Sequence, residues 1–262
     1  MPIKRQEKIS TGSFDLNKWL FGGYETDIIT MIAGPPGSGK TNFVIIASVS
    51  LAKKNQKVLF VDTEGGFSID RVRQLLSENE IQEDVLNNII LMKPTNFDEQ
   101  RKVFEKLLLT LKKEHVSLIV IDGMAMLYRL ELGDAAQLDE NVEEDEKDEK
   151  EKEKDNRIKK VNSEMAKQMR TLAEISRKQN IPILITNQVY KSFLSEDDLR
   201  KGVKPEMNIV GGDLLKYWSK CIIQLDNERG KRKAVLVKHR SLPVKELTFE
   251  ITNKGVRKRG WI

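Results

Sequence analysis

Residues 34–41 narrow the choice of fold more than any other stretch of this chain. They read Gly34-Pro35-Pro36-Gly37-Ser38-Gly39-Lys40-Thr41 and lie between an apolar run and a helix-like segment. The octapeptide fits G-x-x-x-x-G-K-[S/T] without deviation. Glycines there let the backbone wrap an anion with amide N–H groups pointing inward, and the positive end of the next helix adds to the field. Lys40 brings a point charge to terminal phosphates, and Thr41 brings a hydroxyl to a divalent cation. Such a loop needs a strand before it and a helix after it. The expected ligands are ATP and Mg²⁺, held by Gly34, Pro35, Pro36, Gly37, Ser38, Gly39, Lys40, Thr41 and Asn42.

The rest of the chain supplies that setting. Continuous apolar runs, as expected of strands covered on both faces, occur at Ile28–Ala33, Val58–Asp62, Ile89–Met92, Leu118–Asp122 and Ile183–Asn187. Helical stretches alternate with them at Lys40–Lys53, Ile69–Glu80, Phe97–Glu114 and Ile158–Gln179. In the last, Ile158, Val161, Met165, Met169, Leu172 and Ile175 recur every three or four residues, a core-facing stripe. The order predicts an α/β domain with a mostly parallel, doubly wound sheet. From Cys221 the strands Cys221–Leu225, Ala234–Val237 and Leu247–Ile251 follow one another without helices, which predicts an antiparallel C-terminal extension.

Charge is unevenly spread. Asp139–Asp155 holds eleven acidic and four basic residues, whereas Glu228–Ile262 holds eleven basic and three acidic ones. The acidic run sits in a low-complexity insertion at about 138–160, read as either disordered or a solvated helix laced by Glu–Lys pairs. The basic end is an electrostatic footprint for a polyanion. The single cysteine, Cys221, excludes an internally disulfide-bonded scaffold. No apolar stretch nears the ~20 residues of a membrane span. The N-terminus has no apolar segment behind its charges, so a cytoplasmic protein of one domain over residues 1–262 is expected.

Two more acidic strand ends complete a candidate site. Asp122, closing an apolar strand, is placed to hold Mg²⁺ through water. In a doubly wound sheet the end of the Val58–Asp62 strand opens on the same edge as the phosphate loop. Glu64 is the candidate general base there, with Asp62 as rival or supporting partner.

Together these segments resemble the ATPase core of the RecA/RadA/Rad51 recombinases. The resemblance is carried by Ile9–Leu16, the phosphate loop, Val61-Asp62-Thr63-Glu64-Gly65, the strand ending at Asp122, and Thr186-Asn187-Gln188-Val189. It spans about residues 9–257 and implies a RecA-like P-loop ATPase core. It implies that Glu64 and Lys40 act in catalysis with Gln188 as the sensor of the terminal phosphate, and that Arg71 lies against adenine. Lys238-His239-Arg240 resembles an element whose cations reach a neighbouring subunit's phosphate. Lys238 and Arg240 are therefore either trans-acting groups or part of the phosphate-backbone footprint. DNA in this family follows two loops, here about Tyr128–Lys160 and Tyr190–Gly211. The second carries Lys191, Phe193, Arg200, Lys201 and Lys204 as candidate DNA contacts, and single-stranded DNA is the expected form. The acidic run in the first loop is expected to repel phosphate.

With 33 residues before Gly34, the family's helical N-terminal DNA-binding domain is not expected. Phe14-Asp15-Leu16-Asn17 and Phe21-Gly22-Gly23-Tyr24 do not fit the family's F-x-x-A polymerisation anchor. The expectation is an accessory or mediator protein in DNA repair and homologous recombination. It is expected to have a weak Mg-dependent ATPase, weak self-association, and a recombinase or junction-processing protein as partner. A filament-forming strand-exchange recombinase and a P-loop kinase of a small acceptor are the alternatives.

Overall fold

The computed structural model describes residues 7–136, 147–191 and 207–260. Two short strands, β1 (Lys8–Ile9) and β2 (Tyr24–Glu25), pair around helix α1 (Phe14–Trp19). Ser13 starts α1 by accepting the Leu16 N–H on its hydroxyl. The core strands are β3 (Ile29–Gly34), β4 (Lys57–Asp62), β5 (Ile89–Met92), β6 (Val116–Asp122) and β7 (Ile183–Lys191). They alternate with α2 (Lys40–Ala52), α3 (Ile69–Gln74), α4 (Gln82–Asn87), α5 (Phe97–Lys113), α6 (Met126–Ala136) and α7 (Lys147–Gln179). After β8 (Met207–Ile209) and α8 (Gly212–Trp218) come β9 (Ser219–Glu228), β10 (Lys231–Lys238), β11 (Lys245–Thr252) and β12 (Gly255–Lys258).

The main sheet runs β12-β11-β10-β9-β3-β7-β6-β4-β5, with β8 paired to β7. From β9 to β5 all neighbours are parallel, and from β9 to β12 all are antiparallel. The expected architecture is present, with one refinement: β9 is parallel to β3 on one side and starts the antiparallel part on the other.

Side-chain alternation builds two cores. Ile32, Leu118 and Val120 point to the layer of α2, α3 and α4, where Phe43 packs edge-on to Phe249 at 5.1 Å. Met31, Ile119 and Ile121 point to the layer of α5, α6, α7 and α8, which contains Val161, Met165, Met169, Leu172 and Ile175 of the predicted stripe, while its first member, Ile158, is only half-buried and stays outside that core.

Local departures have local causes. The stretch Ile69–Glu80 is helical only to Gln74, because the Glu80 carboxylate turns back to accept the Ser77 N–H and to pair with Lys53. Within the acidic run the described part, from Lys147 on, is helical and continuous with the stripe, as the Glu–Lys spacing allowed. Arg157 pairs with Glu153 one turn away.

Candidate functional site

Register brings the predicted residues to one edge of the sheet. Gly34 on β3 lies opposite Gln188 on β7, and Asp62 on β4 lies opposite Asp122 on β6. These are the carboxyl ends of parallel strands, where ligands bind in open α/β sheets. The phosphate loop leaves β3 at this edge and enters α2 through Gly39, whose φ of +109° favours glycine. A Cβ at Gly39 would also press on Ile251 Cδ1 at 2.7 Å. No side chain caps α2. Its first N–H groups are therefore open to an anion.

Lys40 is buried, and its Nζ donates to the carbonyls of Gly34 at 3.0 Å and Pro35 at 3.1 Å. Burial pushes its pKa down, against the opposing pull of Glu64 and Asp122. Ser38 Oγ is buried without a hydrogen-bond partner.

Asp122 is the most strained charge in the site. One carboxylate oxygen, Oδ1, accepts the Thr186 hydroxyl at 2.6 Å. The other, Oδ2, is buried and unpartnered. Burial pushes its pKa up to about 6, opposed by the Thr186 hydrogen bond and by the Thr41 hydroxyl, which is near enough to pull on the charge but closes no hydrogen bond to Oδ2, and reinforced by Glu64 and Asp62. A point one bond above the Gly66 Cα lies 3.3 Å from both Asp122 Oδ2 and Thr41 Oγ1. That orphaned oxygen beside a hydroxyl fits a magnesium ion. Among the described residues no group of three His, Cys, Asp or Glu side chains could hold a metal unaided. Remaining ligands would have to come from phosphate and water.

Glu64 and Asp62 separate cleanly. Both Asp62 oxygens accept backbone N–H groups, from Gly66 and Phe67, each at 3.0 Å. Asp62 therefore holds the turn that presents Glu64. The exposed Glu64 carboxylate accepts the Gln188 Nε2 donor at 3.3 Å. Gly123 is needed beneath it: φ is +89°, and a Cβ would lie 2.6 Å from Glu64 Cγ.

Two threonines that lie in the quoted segments but were given no role tie the strand ends together. Thr63 Oγ1 lies within hydrogen-bonding distance of the carbonyls of Asp122 and Gly123, and Thr186 Oγ1 accepts the Gly123 N–H at 2.7 Å. Thr63 lies in the bend just after β4 and Thr186 within β7, and only tertiary contacts reveal what either hydroxyl does.

Arg71 stands at the rim. Its Nη1 donates to Gln74 and to the Asn253 carbonyl, while Nε and Nη2 are buried and unpartnered. Lys238 and Arg240 lie at the opposite end of the sheet. Lys238 donates to the Lys216 carbonyl, and Arg240 pairs with buried Glu25 and with Asp27. Tyr128–Ala136 of the first expected loop belongs to α6, with the Tyr128 hydroxyl bonded to Asn162. Lys191 ends β7; Phe193, Arg200, Lys201 and Lys204 lie outside the described residues.

The comparisons with known proteins agree with this geometry. A family model described as Rad51 matches residues 4–148 and 153–259. "DNA repair and recombination protein RadB" of Methanobrevibacter smithii is 39% identical over 254 residues, 95% of each chain. The protein of that name from Methanococcus maripaludis strain C7 is 39% identical over 242 residues, 92% of this chain and 96% of its own. The one from Methanocaldococcus jannaschii is 37% identical over 241 residues, 92% and 98%. Family model, curated relatives and strand-edge geometry converge: the chain belongs to the Rad51 family.

Proposed function

We propose that this protein binds ATP with Mg²⁺ and binds DNA, and that it serves DNA repair and homologous recombination as an accessory to a strand-exchange enzyme, hydrolysing ATP slowly itself. The observation that carries the ligand reading is Asp122 Oδ2, buried without a partner beside the Thr41 hydroxyl. A buried acceptor left bare costs about 1–3 kcal/mol, a cost that a cation relieves.

In this reading the open amides of α2 and Lys40 hold the phosphates, and Lys40 exchanges its contacts to Gly34 and Pro35 for phosphate oxygens. Thr41 and, through water, Asp122 hold the magnesium, which neutralises phosphate charge when bound. Arg71 offers its unpaired guanidinium edge to the base. Glu64 orients the attacking water. Gln188 restrains Glu64 until its amide turns to the terminal phosphate, and β7 passes that change to the DNA-contacting segment beyond Lys191. Slow hydrolysis is supported by Arg240, which is engaged with Glu25 and Asp27 in its own chain. Among the described residues no helix is long and apolar enough to cross a membrane.

Lys40→Ala should abolish binding of a fluorescent ATP analogue with an unchanged far-UV CD spectrum; retained affinity refutes the site. Sedimentation with ATP and single-stranded DNA should show small species, and long filaments would favour a strand-exchange enzyme instead.

A further inference from the structure

The basic C-terminal segment holds eleven Lys and Arg residues between Glu228 and Ile262. The fold consumes five of them. Lys233 pairs with Glu246 and Arg257 with Glu250. Lys238 and Lys245 donate to the carbonyls of Lys216 and Trp19, and Arg240 is held by Glu25 and Asp27. The other six have no side-chain partner among the described residues.

Three of those six, Lys231, Lys258 and Arg259, converge on one cleft of about 770 Å³ between α1 and the β11–β12 edge. Lys18 of α1 joins them, and it too lacks a side-chain partner among the described residues. Of the two carboxylates in the cleft, Glu246 is bridged to Lys233 at 2.8 Å, while Asp15 accepts the Lys258 backbone N–H at 2.7 Å and keeps its charge. The cleft therefore holds four cations, Lys18, Lys231, Lys258 and Arg259, against one carboxylate, Asp15, that no cation neutralises among the described residues. It also offers Phe14, 81% exposed at the start of α1, with Trp19 and Leu247 behind it. An exposed ring among unpaired cations is what a base and its flanking phosphates require, since every base has a π-face to stack.

We infer that this cleft is a second nucleic-acid site, distinct from the loop after Gln188. It takes a short single-stranded segment with phosphates on Lys18, Lys231, Lys258 and Arg259 and one base stacked on Phe14. The site rests on unpaired charge and an exposed ring alone, and holds whether or not the phosphate loop binds ATP.

The test uses the full chain and fluorescein-labelled oligothymidylate, read by anisotropy over a salt series. The double variant Lys258→Gln/Arg259→Gln should flatten the slope of log affinity against log salt by about 1.4, at about 0.7 per lost phosphate contact on a single strand. Phe14→Ala should weaken binding about fivefold or more with the slope unchanged, and Phe14→Trp should restore it. An oligonucleotide carrying 5-iodouracil should photocrosslink the wild-type protein within the peptide that contains Phe14, a readout that needs no variant to fold. Wild-type affinity and slope in both variants, or crosslinks confined to other peptides, overturn the proposal. Displacement of the oligonucleotide by polyglutamate of equal charge, with no effect of Phe14→Ala, overturns it in favour of an acidic protein partner. ATP-analogue binding measured on the same variants should be unchanged. The Lys40→Ala variant should keep the oligonucleotide crosslink to the Phe14 peptide, so the two readings fail separately.

Discussion

Replacing Asp122 by asparagine should stabilise the ligand-free protein while destroying its magnesium-dependent nucleotide binding. The carboxyl group has a pKa raised from 3.8 to about 6, chiefly by burial. A rise of that size corresponds to about 3 kcal/mol of folding free energy lost wherever the group is ionised in both states. The sign follows from the direction of the shift. The folded protein holds this proton more tightly than the unfolded chain, so the cost is fully present above pH 6. It fades as pH falls toward 3.8 and is absent below about 4. Asparagine keeps an acceptor for the Thr186 hydroxyl but places an amide where Oδ2 now lies unpartnered. That buried donor costs about 1 kcal/mol or more. A net gain of about 1–2 kcal/mol at pH 7.5 is expected, or about 2–6 °C in Tm for a chain of this size. Thermal melts without nucleotide or magnesium, at pH 7.5 and at pH 4, read the difference. The gain should vanish at the lower pH. A variant that is less stable at both pH values, or a gain that ignores pH, refutes the reasoning.

Asp62→Ala should free the turn at Gly66 and Phe67, costing about 2–4 kcal/mol for two lost charge-assisted bonds; steady-state kinetics should show kcat falling well beyond any change in KM for ATP. Arg240→Ala should strip buried Glu25 of its best partner and lower stability by about 3 kcal/mol; Arg240→Lys should recover much of this in urea melts. Any loss of DNA binding in Arg240→Ala therefore needs the stability measurement beside it. Gly123→Ala should push the Glu64 side chain off its position, reducing hydrolysis in a phosphate-release assay while leaving ATP-analogue binding within about twofold.

What could be read in the sequence had a period or a motif behind it. The parallel strands are continuous β-branched runs, and the structure places Ile89–Met92 on the same residues. The phosphate loop could be read because its chemistry demands glycine, lysine and threonine at fixed offsets. Helix α6 could not: Met126–Ala136 is apolar on several faces and follows a strand end without a cap signal, so it looked like loop. Helices α3 and α4, six residues each, owe their ends to Glu80 and to Asn88, whose amide reaches the Ala52 carbonyl 36 residues away. Asp62 and Glu64 differ in what reaches them: the backbone N–H groups of Gly66 and Phe67 fold back onto Asp62, whereas Glu64 accepts the side-chain amide of Gln188. Two carboxylates two residues apart in a sequence carry no record of that.

The phosphate-loop edge of the sheet is rich in polar groups that the protein itself leaves unpaired. Asp122 Oδ2 and Ser38 Oγ are buried without partners, and Lys40 is buried against carbonyls that satisfy it only in part. Each costs free energy that the apolar cores on both faces of the sheet must offset. A chain selected for stability alone would replace them, as Asp122→Asn should demonstrate. In the proposed reading, a ligand that brings negative phosphate to Lys40 and the α2 amides, together with a cation for Asp122, satisfies two of these groups at once. Binding should therefore tighten this edge far more than its contact area suggests. Glu64 and Gln188, joined at 3.3 Å across the same edge, would feel that change directly. In the proposed reading, groups that the protein leaves unpaired would make nucleotide occupancy legible to the rest of the fold: the less the site satisfies itself, the larger the difference a ligand makes.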